Sequence, residues 1–182
     1  MIIAVFGGSA PRPGEAAYEE ARGLGRLIAQ SGHSALTGGY MGVMEAVSLG
    51  ARETGGQAIG ATCAEIEHFR PTQANPYLTE EWPFQSLSER LFALCSRSDA
   101  AIALPGGPGT LAEIGYLWNH ILIRAIPEKP LILCGAGWRK VMQTYFAEYG
   151  AYIAGHDQRL LQFADNPAEA LKAVIEWQPT GI

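Results

Sequence analysis

Residues 100–113 read Ala100-Ala101-Ile102-Ala103-Leu104-Pro105-Gly106-Gly107-Pro108-Gly109-Thr110-Leu111-Ala112-Glu113. A short run without polar residues, a turn built of three glycines and two prolines, and a segment of helical period (111–123) follow one another. That is a strand–turn–helix unit, and the absence of polar alternation in the run marks a strand buried on both faces. The unit recurs outward in both directions. Apolar runs at 2–6, 34–37, 58–61 and 131–134, with shorter strands expected near 77–82 and 160–163, alternate with helical segments at 15–30, 41–54, 87–96, 138–149 and 167–177. The alternation has no linker, repeat or low-complexity break, so a single α/β domain over 1–182 is expected, its sheet doubly wound and mostly parallel with helices on both faces.

A chain of 182 residues, 48% hydrophobic and 17% charged, suits one well-filled core. Thirteen Lys+Arg against 18 Asp+Glu give a formal charge of −5, which offers a polyanion no general attraction; nucleic acid is not an expected partner. Cys63, Cys95 and Cys134 lie far apart without C-x-x-C spacing, so they read as thiols of a reducing, cytoplasmic compartment rather than a disulfide framework or metal site. The opening run 2–6 reaches glycine too soon for a signal peptide, and no stretch approaches the roughly 18 apolar residues of a membrane span. Neither a metal, a cofactor nor a membrane is expected.

Sheets of this kind bind ligands at the carboxyl ends of their strands. Three of those loops are glycine-rich: Gly7-Gly8-Ser9-Ala10, Thr37-Gly38-Gly39-Tyr40-Met41-Gly42 and Pro105-Gly106-Gly107-Pro108-Gly109-Thr110. Each opens a helix, where free backbone N–H groups and the positive end of the dipole favour an anion. One Gly-Gly pair does no more than permit a sharp turn; three at successive strand ends point to a phosphate-bearing ligand at Gly8, Ser9, Gly38, Gly39, Gly42, Gly106, Gly107, Gly109 and Thr110. The chain has no G-x-x-x-x-G-K-[ST], and its first turn does not spell G-x-G-x-x-G. A mononucleotide, or another small phosphorylated molecule, is left. The segment 65–75, long and without clear period, reads as a functional flap.

Glu113 follows Thr110 by three residues on one helical face, and two readings stand. Its carboxylate is aimed at the bound anion, or Thr110-x-x-Glu113 is a capping box that only closes the helix start. Ser86-Leu87-Ser88-Glu89 has the same form and would set Arg90 near the start of its helix, as a site residue or as a solvated surface arginine.

Over nearly its whole length the sequence resembles the Lonely Guy (LOG) family, Rossmann-like cytokinin riboside 5′-monophosphate phosphoribohydrolases long labelled lysine decarboxylases. Val5-Phe6-Gly7-Gly8-Ser9 is similar to the family's first strand and loop, Gly38 to Ala46 to its G-G-G-x-x-G-L-M-G turn, and Pro105 to Glu113 to P-G-G-x-G-T-x-x-E without exception. Arg90 stands 15 residues before Pro105, as the arginine of the family's M-H-x-R-K does. The resemblance implies hydrolysis of the N-glycosidic bond of AMP or an N6-substituted AMP, without metal, to free base and ribose 5-phosphate. Arg90 and Glu113 would be the catalytic pair, Gly107, Gly109 and Thr110 would hold the phosphate, and Gly38, Gly39 and Gly42 would line the same pocket. The helix at 111–123 is apolar around most of its circumference, so it is either a deeply buried core helix or one shared with a partner, and the resemblance implies a homodimer.

The chain departs from the family pattern at several points. Leu87-Ser88-Glu89-Arg90-Leu91 keeps only the arginine of M-H-x-R-K, Tyr40 replaces a third glycine, and Glu45 replaces another. A non-catalytic carrier of a nucleotide-like ligand, such as the molybdenum-cofactor carriers of the same superfamily, is therefore the alternative. Decarboxylation through pyridoxal phosphate would need a Schiff-base lysine. Lys129, Lys140 and Lys172 are the only lysines, and none adjoins a glycine turn. The base contacts are not assigned, with the Gly8-Ser9 loop and 65–75 as candidates. Trp138 and Trp177 read as core or rim.

Overall fold

The computed structural model describes residues 1–179. Its strands are β1 Ile2–Phe6, β2 Ser34–Thr37, β3 Ala58–Cys63, β4 Glu80–Phe84, β5 Ala100–Ala103, β6 Leu131–Cys134 and β7 Leu161–Ala164. Its helices are α1 Ala16–Gln30, α2 Val43–Glu53, α3 Ala64–Phe69, α4 Leu87–Ser96, α5 Pro108–Leu122, α6 Ala136–Tyr149, α7 Gly155–Arg159 and α8 Pro167–Ile175. The strands form one sheet in the order β4-β3-β2-β1-β5-β6-β7, every neighbouring pair parallel. The sheet is thus wholly rather than mostly parallel, and the winding reverses between β1 and β5. Beyond the carboxyl ends of those two strands lies the crevice in which such sheets bind ligands.

The two-residue period of a strand divides the core. Ile3 and Val5 of β1 join one cluster with Tyr18, Leu24 and Ile28 of α1, Val47 of α2 and Leu171 of α8. Ala4 and Phe6 join the other with Leu94 of α4, Ile114 and Leu117 of α5 and Met142 of α6. Both faces of the central strands are buried, which is why these runs show no polar alternation. Cys63, Cys95 and Cys134 are free, buried thiols, and Trp138 packs in the core with its indole N–H donating to the Leu104 carbonyl at 3.0 Å. Trp177 is half-buried at the rim. Among the described residues no helix is long and apolar enough to cross a membrane.

Element boundaries move where local chemistry overrides periodicity. The helix expected at 41–54 starts at Val43, because Gly42 has φ +72°, a left-handed value that the helix cannot include. The helix expected at 111–123 starts three residues earlier, at Pro108, whose fixed φ and missing N–H suit the first helical position. The strand expected near 77–82 lies at Glu80–Phe84, since the Asn75 side chain accepts from Tyr77 N at 3.1 Å and holds that stretch in a turn. Its Pro83 is tolerated because β4 is the sheet edge. Two short helices, α3 within the supposed flap and α7, were not indicated by the spacing of apolar residues, for neither contains a buried one.

Candidate functional site

The topology gathers the three glycine turns. Gly8 N donates to the Pro105 carbonyl at 3.1 Å, and Val43 N donates to the Gly8 carbonyl at 2.9 Å, so the first turn is stitched to both others. Gly42 fits this junction for two reasons: its φ is positive, and a Cβ there would lie 2.6 Å from Gly8 O and 2.7 Å from Ser9 Cα. In the third turn Gly107 is the N-cap of α5 and no side chain caps the helix, so the amides of Gly109 and Thr110 have no acceptor within it. Gly107 and Gly109 are exposed, and a methyl group on either would meet nothing within 4 Å. Thr110 is buried at the third helical position. A 15-residue helix therefore points its positive end and unengaged N–H groups at open space.

Thr110 and Glu113 do not form a capping box. The helix begins at Pro108, so Glu113 stands in its second turn, and its carboxylate accepts no hydrogen bond among the described residues. Burial pushes the Glu113 carboxyl up to about 7, and the Arg90 charge draws it partly back. The second sequence match is a true capping box: Glu89 N donates to Ser86 Oγ at 3.2 Å and Ser86 N to Glu89 Oε2 at 3.0 Å. It fixes the start of α4 at Leu87, so that Arg90 leaves the first turn of the helix toward the carboxyl end of β3.

Arg90 is not a surface residue. Only 6% exposed, it donates from Nε to the Ala61 carbonyl at 2.7 Å and from Nη2 to the Gly38 carbonyl at 3.2 Å, and its Cζ lies 5.9 Å from the centre of the Tyr40 ring. Gly38 is what admits it, since a Cβ there would fall 2.0 Å from Nη2. Among the described residues Arg90 and Glu113 form no direct ion pair, yet the Arg90 charge is felt at the Glu113 carboxyl.

The departures from the family pattern also find their places. Leu91, at the position of the family's lysine, packs against the α4–α6 core. Glu45 accepts from Tyr18 Oη at 3.0 Å and is engaged between α1 and α2. Tyr40 is buried, its hydroxyl accepting from Cys63 N at 2.7 Å and donating to Glu67 of α3 at 3.0 Å. Lys129 precedes β6, at the opposite end of the sheet from the glycine turns, and its buried ammonium donates to the carbonyls of Cys95 and Ser98. It closes the end of α4.

A family profile described as possible lysine decarboxylase matches residues 44–174, a stretch that contains Arg90, the third turn and Glu113. The chain belongs to this family, the LOG family. Among LOG relatives, the cytokinin riboside 5′-monophosphate phosphoribohydrolase of Rhodococcoides fascians is 31% identical over 134 residues, 72% of this chain and 66% of that protein. The enzyme of the same name from Mycobacterium marinum is 28% identical over 174 residues, 94% of this chain and 91% of its own. Among solved structures, the molybdenum cofactor binding protein of Rippkaea orientalis superposes with a TM-score of 0.72 at 27% identity, covering 96% of both chains. No buried lysine faces the glycine turns among the described residues of this LOG protein, so its chemistry is not legible from the older label.

Proposed function

We propose that the chain hydrolyses the N-glycosidic bond of a nucleoside 5′-monophosphate, AMP or an N6-substituted AMP, without a metal, giving free base and ribose 5-phosphate. The observation that carries this reading is Glu113: an acid with no hydrogen-bond partner among the described residues, its carboxyl pushed up to about 7 by burial and drawn partly back by the charge of buried Arg90, in the second turn of a helix whose N-terminus is open. The 5′-phosphate takes the amides of Gly107, Gly109 and Thr110, and Gly106 of the same turn closes the pocket with Gly8 and Ser9 of the first turn and Gly38, Gly39 and Gly42 of the second. As the C1′–N bond breaks, positive charge develops on the sugar, and the Glu113 carboxylate stabilises it and takes a proton from the attacking water. The hydroxide adds to C1′ and the proton passes to the departing base. Arg90 cannot act as a base; it orients the carboxylate and the sugar phosphate.

A second reading, carriage of a nucleotide-like ligand such as a molybdenum cofactor, is favoured by the full-length likeness to the Rippkaea protein and by Leu91 in place of a cation. Incubation with a panel of nucleoside 5′-monophosphates, followed by chromatography for free base, decides between them. Base released by the unaltered chain supports hydrolysis, whereas binding of AMP without any base leaves the carrier.

The second copy of this chain is the partner proposed for α5 and α6. Leu111, Leu122, Val141 and Tyr145 are exposed around a groove of about 520 Å³ between these helices, an unpaired apolar surface on a protein whose reading as cytoplasmic gives it no lipid to cover it. Leu122→Glu is expected to shift the protein from dimer to monomer in light scattering. A monomeric unaltered chain would remove the proposal.

A further inference from the structure

The segment 64–75, between β3 and β4, is fastened to the second glycine turn and to α4 at points that the proposed chemistry does not use. Leu87 N donates to Glu65 Oε2 at 2.7 Å, and Tyr40 donates to Glu67. At the far end of the segment Asn75, only 7% exposed, makes the densest set of contacts. Its backbone N donates to the Gly39 carbonyl at 2.8 Å, and its side-chain amide donates to the carbonyls of Gly39 at 3.1 Å and Tyr40 at 3.2 Å, with Ser48 Oγ at 3.4 Å. Its Oδ1 accepts from Tyr77 N, so every polar atom of the side chain is engaged.

These bonds fall on a particular stretch of backbone. Gly39 has φ +81°, and the peptides on either side of it set the direction of the Gly38 carbonyl and the position of the Tyr40 ring. Both of those groups hold Arg90. We infer that Asn75 is a positioning residue for Arg90, acting through the Gly38–Gly39–Tyr40 turn that it pins from 35 or more residues away. The inference deepens the hydrolase reading and gives the segment 64–75 a definite part in it: it is the clamp that keeps the guanidinium at the Gly38 carbonyl and the Tyr40 ring.

The test measures Arg90's effect on Glu113 directly. In protein labelled with ¹³C at the glutamate carboxyl carbon, the Glu113 titration midpoint is followed by NMR in the unaltered chain, Asn75→Ala, Ser48→Ala and Arg90→Met. Ser48→Ala removes a neighbour of the Asn75 amide that does not touch the turn, so it reports a merely structural loss. Asn75→Ala is expected to move the midpoint upward, toward its value in Arg90→Met, and Ser48→Ala to leave it in place. In turnover of AMP, Asn75→Ala should lower kcat by up to about a hundredfold with little change in KM, the pattern of a misplaced group rather than a lost binding contact. An Asn75→Ala protein that is folded by circular dichroism and keeps the unaltered midpoint overturns the inference. Should Asn75→Ala not fold, Asn75→Ser, which retains one donor, is expected to give an intermediate midpoint, and an unshifted one overturns it equally. Because the titration needs no turnover, failure of the hydrolase reading, seen as no base from any variant, is told apart from failure of the clamp.

Discussion

Glu113→Gln is expected to yield a folded protein that still binds ribose 5-phosphate but releases base from AMP about 10²–10⁴-fold more slowly, the range that a positioned general base contributes. The carboxylate is the reactive form, so kcat/KM of the unaltered chain should fall about tenfold per pH unit below a midpoint near 7. The same shift has a cost in stability whose sign is opposite to that of a paired acid. The folded chain keeps a proton on Glu113 that the unfolded chain releases above about 4.5, so stability is lost as pH rises from that value to about 7 and stays lost above it. The deficit is up to about 3 kcal/mol, reduced by solvent screening at a half-buried carboxylate. Glutamine removes it. Glu113→Gln should therefore melt higher than the unaltered chain at pH 8 and no higher at pH 4, while its loss of turnover is read at pH 8, where the unaltered carboxyl is ionised. Unchanged base release would end Glu113's proposed role; lost turnover without the gain at pH 8 would mean that the carboxyl is not held near neutrality.

The order of the elements is written plainly in the chain because strands buried on both faces cannot hide among polar residues, and the glycine turns announce themselves between strand and helix. Glu113 was ambiguous in the sequence because a capping box and a site share the same letters, and Arg90 because an arginine near a helix start is as often solvated as buried. Ser86-x-x-Glu89 is a cap and Thr110-x-x-Glu113 is not, and what separates them is Pro108, which starts α5 before Thr110 can cap it. That signal was present and is readable as a rule about proline at the first helical turn. Asn75 is different. Its partners Gly39, Tyr40 and Ser48 lie 27 to 36 residues away and are reached only once β3 has been laid beside β2. An asparagine before a proline, as in Asn75-Pro76, marks a turn and nothing more. Tyr40 looked like a blemish in a glycine motif; in the fold it replaces flexibility with a buried ring beside Arg90 and a hydroxyl tied to α3.

Arg90→Met separates the two things the arginine does. Methionine fills the space but donates nothing, so the buried carbonyls of Ala61 and Gly38 lose their charged donor, at about 1–3 kcal/mol each. A fall in Tm of about 5–15 °C is expected for a chain of this length. The second effect is electrostatic: with the guanidinium gone, only burial acts on Glu113, and its midpoint should rise above the value of about 7 that it has with Arg90 in place. The acid limb of any remaining turnover then moves to higher pH, a displacement that a simple loss of stability does not produce. Arg90→Lys tests the division, because an ammonium keeps the charge but lacks the planar fork needed to reach both carbonyls. Lysine should bring the Glu113 midpoint part of the way back while leaving most of the Tm loss. If instead Arg90→Met lowers Tm and the Glu113 midpoint stays where it was, the arginine only ties β3 to the second turn, and the acid would have to work without it.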